Sequence, residues 1–526
     1  MRAGALVALA LALTASCRGR APAPTAPDAA VERPPARPAA VVGRAHLGRP
    51  RATVEAVNAA LDARRPADFL LAVGLGVDVA VLSAVDPARP IDVAILASPA
   101  ASYAFAMTPG GAGHARSLLS SRYRFTVEPG LGERLAPRGD PGLSAPDRRL
   151  PCALVRVPAR VPARVVCASD EAALRAAGRW VAFESAARAD DHADLDVTFD
   201  GDGLARDVAP AVRGASILLQ RQLLAAASAA RRDHDRPPDL GDPEAVVALV
   251  AEAARSLADD VAAARSLALH ADVTNAGAEV TARALFPAAG GGSLADDARG
   301  RLGVAGPHPL VGMLPADALV TAASRTSLDA RRSSLTSLVG AALRVLGDRV
   351  ATPDVARRDL DALLGASGDA LALAAAPDAR GGVELTLALA QTDQGTSARA
   401  ALARMATAPW LRGLRAGAPT VVTPLRDGLV VAGAPDASAL AVGVRRGALV
   451  AVLGRNARAT LDAAGVRGDA PETNAAGAFV ELRLTPSDPP LRVTWGAARA
   501  SDGAVEATAR AHLPPRALAA LVALSE

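Results

Sequence analysis

The densest group of residues able to do chemistry is acidic: Asp190, Asp191, His192, Asp194 and Asp196, running into Asp200-Gly201-Asp202-Gly203. Clustered carboxylates suit a hard cation, and Asp196, Thr198, Asp200, Gly201 and Asp207 fall at the spacing of a calcium loop. The echo is faint, because the last of these is Asp where such a loop needs the bidentate reach of Glu. Residues 196–199 also alternate in polarity as a strand does. A solvated loop running into a strand is the plainer expectation, with Asp196, Asp200 and Asp207 as weak metal candidates. Asp233-His234-Asp235 has the composition of a charged turn. His46, His114, His270, His308 and His512 have no carboxylate or serine at a suggestive spacing, although a triad can assemble from distant positions.

Absent residues exclude more. All 58 basic residues are arginine. Without lysine there is no phosphate-loop nucleotide hydrolysis, no Schiff base and no Ser-Lys acyl transfer. No G-x-S-x-G, H-E-x-x-H or C-x-x-C pattern occurs either. A net charge of +4 over 526 residues, with acids and arginines interleaved, is no nucleic-acid footprint. The 7 Phe, 3 Trp and 2 Tyr leave few rings for stacking on bases or sugars. No cofactor and no nucleic-acid partner are expected.

Two of the three cysteines, Cys152 and Cys167, flank the β-rich runs ALVRVP and RVV around a turn signal at Pro158-Ala159-Arg160. They are expected to face each other across a hairpin and close a disulfide, worth roughly 3 kcal/mol in the chain-entropy model; two buried thiols are the alternative. The third, Cys17, follows Arg2, an apolar run at residues 5–13 too short to span a bilayer, and the small residues Thr14-Ala15-Ser16.

This N-terminal pattern resembles the lipobox of bacterial lipoproteins, departing from it where Thr14 stands at the family's preferred leucine. The resemblance implies a signal peptide at residues 1–16, cleavage before Cys17, a thioether-linked diacylglycerol on its sulfur and an acylated amine. It places the chain in the cell envelope, anchored to a membrane by lipid. Arg18 is not the aspartate that retains some lipoproteins in the inner membrane, so the outer membrane is preferred. Residues 17–46, rich in Pro, Ala and Arg, then read as a semi-extended tether.

The remainder looks duplicated. EVTARALFP at residues 279–287 matches EATARAHLP at 506–514, and residues 166–169 lead into a helix as residues 453–456 do, with Ser169 and Asn456 as N-caps. The markers imply a first copy at residues 47–305 and a second at 306–526, the first lengthened by a helical hairpin at 204–265. Each copy opens with two helices, at 52–64 and 67–85 and then at 334–346 and 353–364, before runs that alternate as strands do. The apolar stretch 67–85 carries Asp78 at its centre, where a bilayer penalises a carboxylate by about 2.5–3.5 kcal/mol, so it reads as a core helix. Hairpins and short returns give an α+β class: two homologous lobes of antiparallel sheet with helices on one face. The organisation is reminiscent of envelope lipoproteins of GC-rich bacteria. It implies a non-catalytic binding or scaffolding module, taking lipid or a protein partner in an apolar groove between lobes. The alternative is an envelope hydrolase whose Asp, Glu and His residues are assembled by the fold.

Overall fold

The runs that alternate in polarity become strands, and the strands form two matching sets. The computed structural model describes residues 35–60, 66–97, 102–138, 150–156, 163–187, 194–232, 243–274, 276–304, 308–346, 350, 352–378, 382–412, 420–432, 438–464, 478–483, 485 and 490–515. The first set is β1 (Val41–Leu47), β2 (Ile91–Leu96), β3 (Ser102–Met107), β4 (Tyr123–Glu128), β5 (Gly132–Pro137), β6 (Cys152–Val155), β7 (Arg164–Ala168), β8 (Leu195–Asp200), β9 (Ser266–Thr274) and β10 (Gly277–Phe286). They pair antiparallel in the order β4-β5-β6-β7-β3-β2-β1-β8-β9-β10.

The second set is β11 (Val320–Arg325), β12 (Ser367–Pro377), β13 (Val383–Gln391), β14 (Val421–Leu425), β15 (Gly428–Ala432), β16 (Ala439–Arg445), β17 (Ala448–Gly454), β18 (Ala478–Leu482), β19 (Leu491–Arg499) and β20 (Val505–Leu513). Its order, β14-β15-β16-β17-β13-β12-β11-β18-β19-β20, repeats the first strand for strand. The chain divides into two compact units. One comprises Met1–Ala215, Ala258–Phe286 and Ala511–Glu526, the other Ser216–Leu257 and Pro287–Arg510.

Helices intervene at equivalent places. The first set is interrupted by α1 (Pro50–Ala60), α2 (Ala67–Leu75), α3 (Val79–Ser83), α4 (Ala112–Ser120) and α5 (Glu171–Ala187). Between β8 and β9 lie a π-helical turn at Leu204–Val208 and the long helices α6 (Ala209–Arg232) and α7 (Pro243–Ala263). Then come α8 (Ser293–Arg301), α9 (Leu328–Leu346), α10 (Pro353–Leu364), α11 (Thr396–Met405), α12 (Pro409–Arg412) and α13 (Ala457–Ala464). Residues 233–242, which include Asp233, His234 and Asp235, lie outside the described residues, as do Cys17 and most of the tether.

Helices cover both faces of each sheet, not one. In the first unit α5 lies on a face of small residues, with Ala94, Ala104, Ala106, Ala153 and Ala168 buried against Leu174, Ala177 and Val181. The opposite face presents Ile91, Phe105, Met107 and Val165 to Leu71, Val81, Leu82 and Leu119 of α2, α3 and α4. The second unit repeats the division: Ala372, Ala374, Ala388 and Val450 meet Leu461 of α13, while Leu389, Leu429 and Leu449 meet Leu335, Leu363 and Leu402 of the other helices. Strand alternation separates small from large side chains, and the small face lets one helix approach the backbone closely.

Three expectations need correction. The stretch 67–85 is not one helix: it breaks after Leu75, Gly76 takes a positive φ of 69°, and Asp78 caps α3 by accepting from Ala80 N at 2.8 Å. A carboxylate in an apolar run has here become a helix start. The N-cap of α5 is Asp170, which accepts from Ala173 N at 2.8 Å, while the Ser169 hydroxyl bonds to the Asp170 carboxylate. Burial alone would raise the Asp170 pKa, but its bonds from the Ala173 and Ala172 amides and from the Ser169 and Ser102 hydroxyls hold it below the usual carboxylate range. The folded body also starts earlier than residue 47, because VVGRAHL forms β1. The helical pair α6 and α7 sits in sequence between β8 and β9, but its middle, Ser216–Leu257, groups with the second unit.

Candidate functional site

Strand register in the first unit gathers acids and histidines that sequence spacing keeps apart. Asp92 of β2 stands opposite His46 of β1, His46 opposite Asp196 of β8, and Asp196 opposite His270 of β9. Directly paired residues share a face, so the four form one row across the sheet. His46 Nδ1 lies 2.8 Å from Asp92 Oδ1, and their side chains are only 1% and 6% exposed. His270, half-exposed, lies 3.7 Å from Asp196 and 3.0 Å from Asp272. Asp194, buried, extends the network by accepting from Arg49 Nε at 2.9 Å and from Val273 N at 2.7 Å.

The row rises from a buried end to a wet one. At the buried end Arg164 lies 5% exposed and donates to Ser185 Oγ at 3.3 Å. Burial lowers the Arg164 pKa, with the Asp92 charge acting in the opposite direction. Asp92 Oδ2 is buried without a hydrogen-bond partner among the described residues. It borders a recess of about 10 Å³ lined by Arg44, Ala45, Asp92, Val93, Trp180, Val181 and Glu184. Organic-ligand pockets run at about 300–1,000 Å³, so the recess suits water or a very small group. An imidazole between carboxylates can accept and pass on a proton.

The repeated strand order gives a control. The strands that correspond to β1, β2, β8 and β9, namely β11, β12, β18 and β19, contain no histidine. The fold therefore forms without such a row, and the row is a feature of the first unit alone.

The metal candidates do not converge. Asp196 belongs to the row, Asp200 caps the turn at Gly201–Gly203 and bonds to Arg37, and Asp207 pairs with Arg206 at 2.8 Å. Among the described residues no three His, Cys, Asp or Glu side chains are placed to hold a metal ion. Cys152 and Cys167 stand directly opposite each other in the β6–β7 hairpin and form a disulfide. His114 and His512 lie on the surface, the latter 2.6 Å from Glu279.

In the second unit the polar cluster is built on arginine. Arg331 is 6% exposed and donates to Ser324 O at 2.9 Å and Ser324 Oγ at 2.7 Å. Arg325 pairs with Asp369 at 2.6 Å, and Arg301 pairs with Asp297 at 2.5 Å and lies over the Trp495 ring. His308 donates from Nε2 to Ser324 O at 3.3 Å. Burial holds its pKa below the usual imidazole value, and Arg325 and Arg331 act the same way. An unfolded chain therefore takes up this proton first as the pH falls. Stability from this group is fully present above about pH 6.5 and is lost as the pH drops from there through the folded value. The urea midpoint of the second unit is expected to fall between pH 7.5 and 5, and less so in H308Q; equal slopes in both chains contradict the assignment.

A different kind of surface lies on α6. Ile217, Leu218 and Leu219 are consecutive and 51%, 52% and 45% exposed, and Leu224 is 38% exposed. Three successive helical residues span about 200° of the circumference, so no single buried face hides them. The helix carries Arg213, Arg221, Arg231 and Arg232 and no acidic residue. No described helix is long and apolar enough to cross a membrane.

Comparison with known proteins adds little. No protein-family model matches the chain, and no curated protein matches it. A solved structure of the protein TP0453, in its crystal form IV, is similar at 10% identity over 41% of this chain and 96% of that one, with a TM-score of 0.21. At that level the similarity carries no argument.

Proposed function

We propose that this chain is a lipid-anchored protein of the cell envelope, with the outer membrane preferred, that works as a non-catalytic binding or scaffolding module. The observation that carries the reading is the contrast between its two surfaces. The acid–base row borders only a small recess, whereas α6 exposes a contiguous apolar run of the kind that marks an interaction site. The lipobox-like residues through Cys17 and the Pro/Ala/Arg spacer after them support a body held on a tether near a bilayer. A disulfide suits an oxidising compartment outside the cytoplasm.

Cys17→Ala tests this reading. In a lipoprotein-processing bacterium the natural chain should fractionate with membranes, and the variant should accumulate as uncleaved precursor without lipid. Identical processing and fractionation of the two would overturn the anchor.

A second reading, an envelope hydrolase, draws on the Asp92–His46 pair and on Asp92 Oδ2, which has no hydrogen-bond partner among the described residues and lies beside the recess. In that case the row would deprotonate a water held beside Asp92. Hydrolysis of a small ester that is lost in D92N while the fold is retained would favour it over the binding module.

A further inference from the structure

We infer that α6 is a bilayer-contacting helix that lies in the interface of a membrane rich in anionic lipid. The inference rests on the envelope reading above and names the partner of its exposed surface.

Interfacial helices combine exposed large apolar side chains with arginines and low overall hydrophobicity, and they bury the apolar part about 5–10 Å into the headgroup boundary. Residues 216–225 of α6 meet that description. Ile217, Leu218, Leu219 and Leu224 are exposed, Arg221 lies exposed among them, and no carboxylate occurs along the helix. A helix apolar on several sides is ordinarily covered, so water is the wrong medium for this one. Arginine can lay its methylenes along the acyl boundary and keep its guanidinium at the phosphates.

Charge points to a bilayer: Arg221 stands exposed among the apolar residues and α6 carries no acid, so anionic headgroups meet no like charge on the helix. The described exposed acids of α7 are already matched internally: Glu252 pairs with Arg344 at 3.3 Å and Asp259 with Arg213 at 2.8 Å. Asp260 is buried. Those pairings also remove the repulsion that α7 would otherwise exert on anionic headgroups. An anionic lipid surface satisfies both the apolar run and Arg221, and helix length is no obstacle because nothing has to cross.

The test uses residues 17–526 carrying Cys17→Ser, which has neither the apolar run 5–13 nor a thiol to receive lipid, with and without I217E and L218E. Both chains share every other residue, so their difference reports α6. Flotation with vesicles of phosphatidylcholine plus phosphatidylglycerol should retain the first chain at low salt. The double substitution should cut retention by about tenfold or more, added salt should weaken it, and circular dichroism should be unchanged. Equal retention of both chains, retention of neither, or equal binding to pure phosphatidylcholine overturns the inference. So does a dimer seen in sedimentation that the double substitution abolishes, which would give the face to a second copy. Absence of lipid on Cys17 in the natural chain overturns the anchor while leaving the vesicle result standing, so the two failures are distinguishable.

Discussion

Replacing His46 by leucine should destabilise the first unit by about 3 kcal/mol, the cost of leaving a buried, hydrogen-bonded carboxyl group without its partner. Its side chain is 1% exposed and sits 2.8 Å from an Asp92 that is itself buried. Once the imidazole is gone, Asp92 Oδ1 loses its ring partner while Oδ2 already lacks one among the described residues. Arg164 donates to Ser185 Oγ and supplies field at Asp92. The companion H46L/D92L removes both polar groups and should recover most of the loss, because a buried polar pair replaced by apolar groups of similar shape is often neutral or stabilising. Hydrogen exchange followed by mass spectrometry, read over β1, β2 and β8, separates this unit from the other. A single substitution costing less than about 1 kcal/mol, or a double one costing as much as the single, would remove the pair from the account.

Loss of the Cys152–Cys167 bond should cost about 3 kcal/mol, the expectation for closing a loop of this length, with a sequence separation of 15. Both residues are buried, and each stands in a strand at the helix-covered centre of the first sheet. The C152A/C167A variant should lower the midpoint of the first unit and leave the second unit unmoved, since no other disulfide is present among the described residues. Equal midpoints for the oxidised and variant chains would show that the hairpin is held by its ladder and core alone.

Much of the architecture is legible in the sequence because it is written locally. IDVAIL and SYAFAM alternate with the period of a strand, and the cysteines bracket a turn signal, so β2, β3 and the opposed cysteines follow from period and punctuation. The row is not local. His46 and Asp92 are 46 residues apart, and they meet only because β1 and β2 pair in one register, which no single strand reveals. A signal was present: Asp92 interrupts an otherwise apolar strand, and His270 does the same in LALHADV. A polar residue inside a strand pattern asks for a partner on the neighbouring strand.

Two other differences have the same physical root. The run 67–85 reads as one helix by hydrophobicity, but Gly76 and Asp78 are a stop and a start, and their turn chemistry outweighs the apolar period. Helices on both faces were hidden because alanine counts as apolar wherever it stands. Only the pairing of Ala94 with Ala104, and of Ala372 with Ala388, shows that the alanines share a face and make room for α5 and α13.

The central claim, a tethered and lipid-anchored binding module, is tested most directly by native and then denaturing mass spectrometry of the full chain extracted in detergent from bacterial envelopes. The account predicts a denatured mass that begins at Cys17, carries a diacylglycerol and an amide-linked acyl chain, and lacks two hydrogens for the Cys152–Cys167 bond; the native spectrum should add bound lipid that denaturation removes. A chain that keeps residues 1–16, or one cut there but bare of lipid at Cys17, contradicts it.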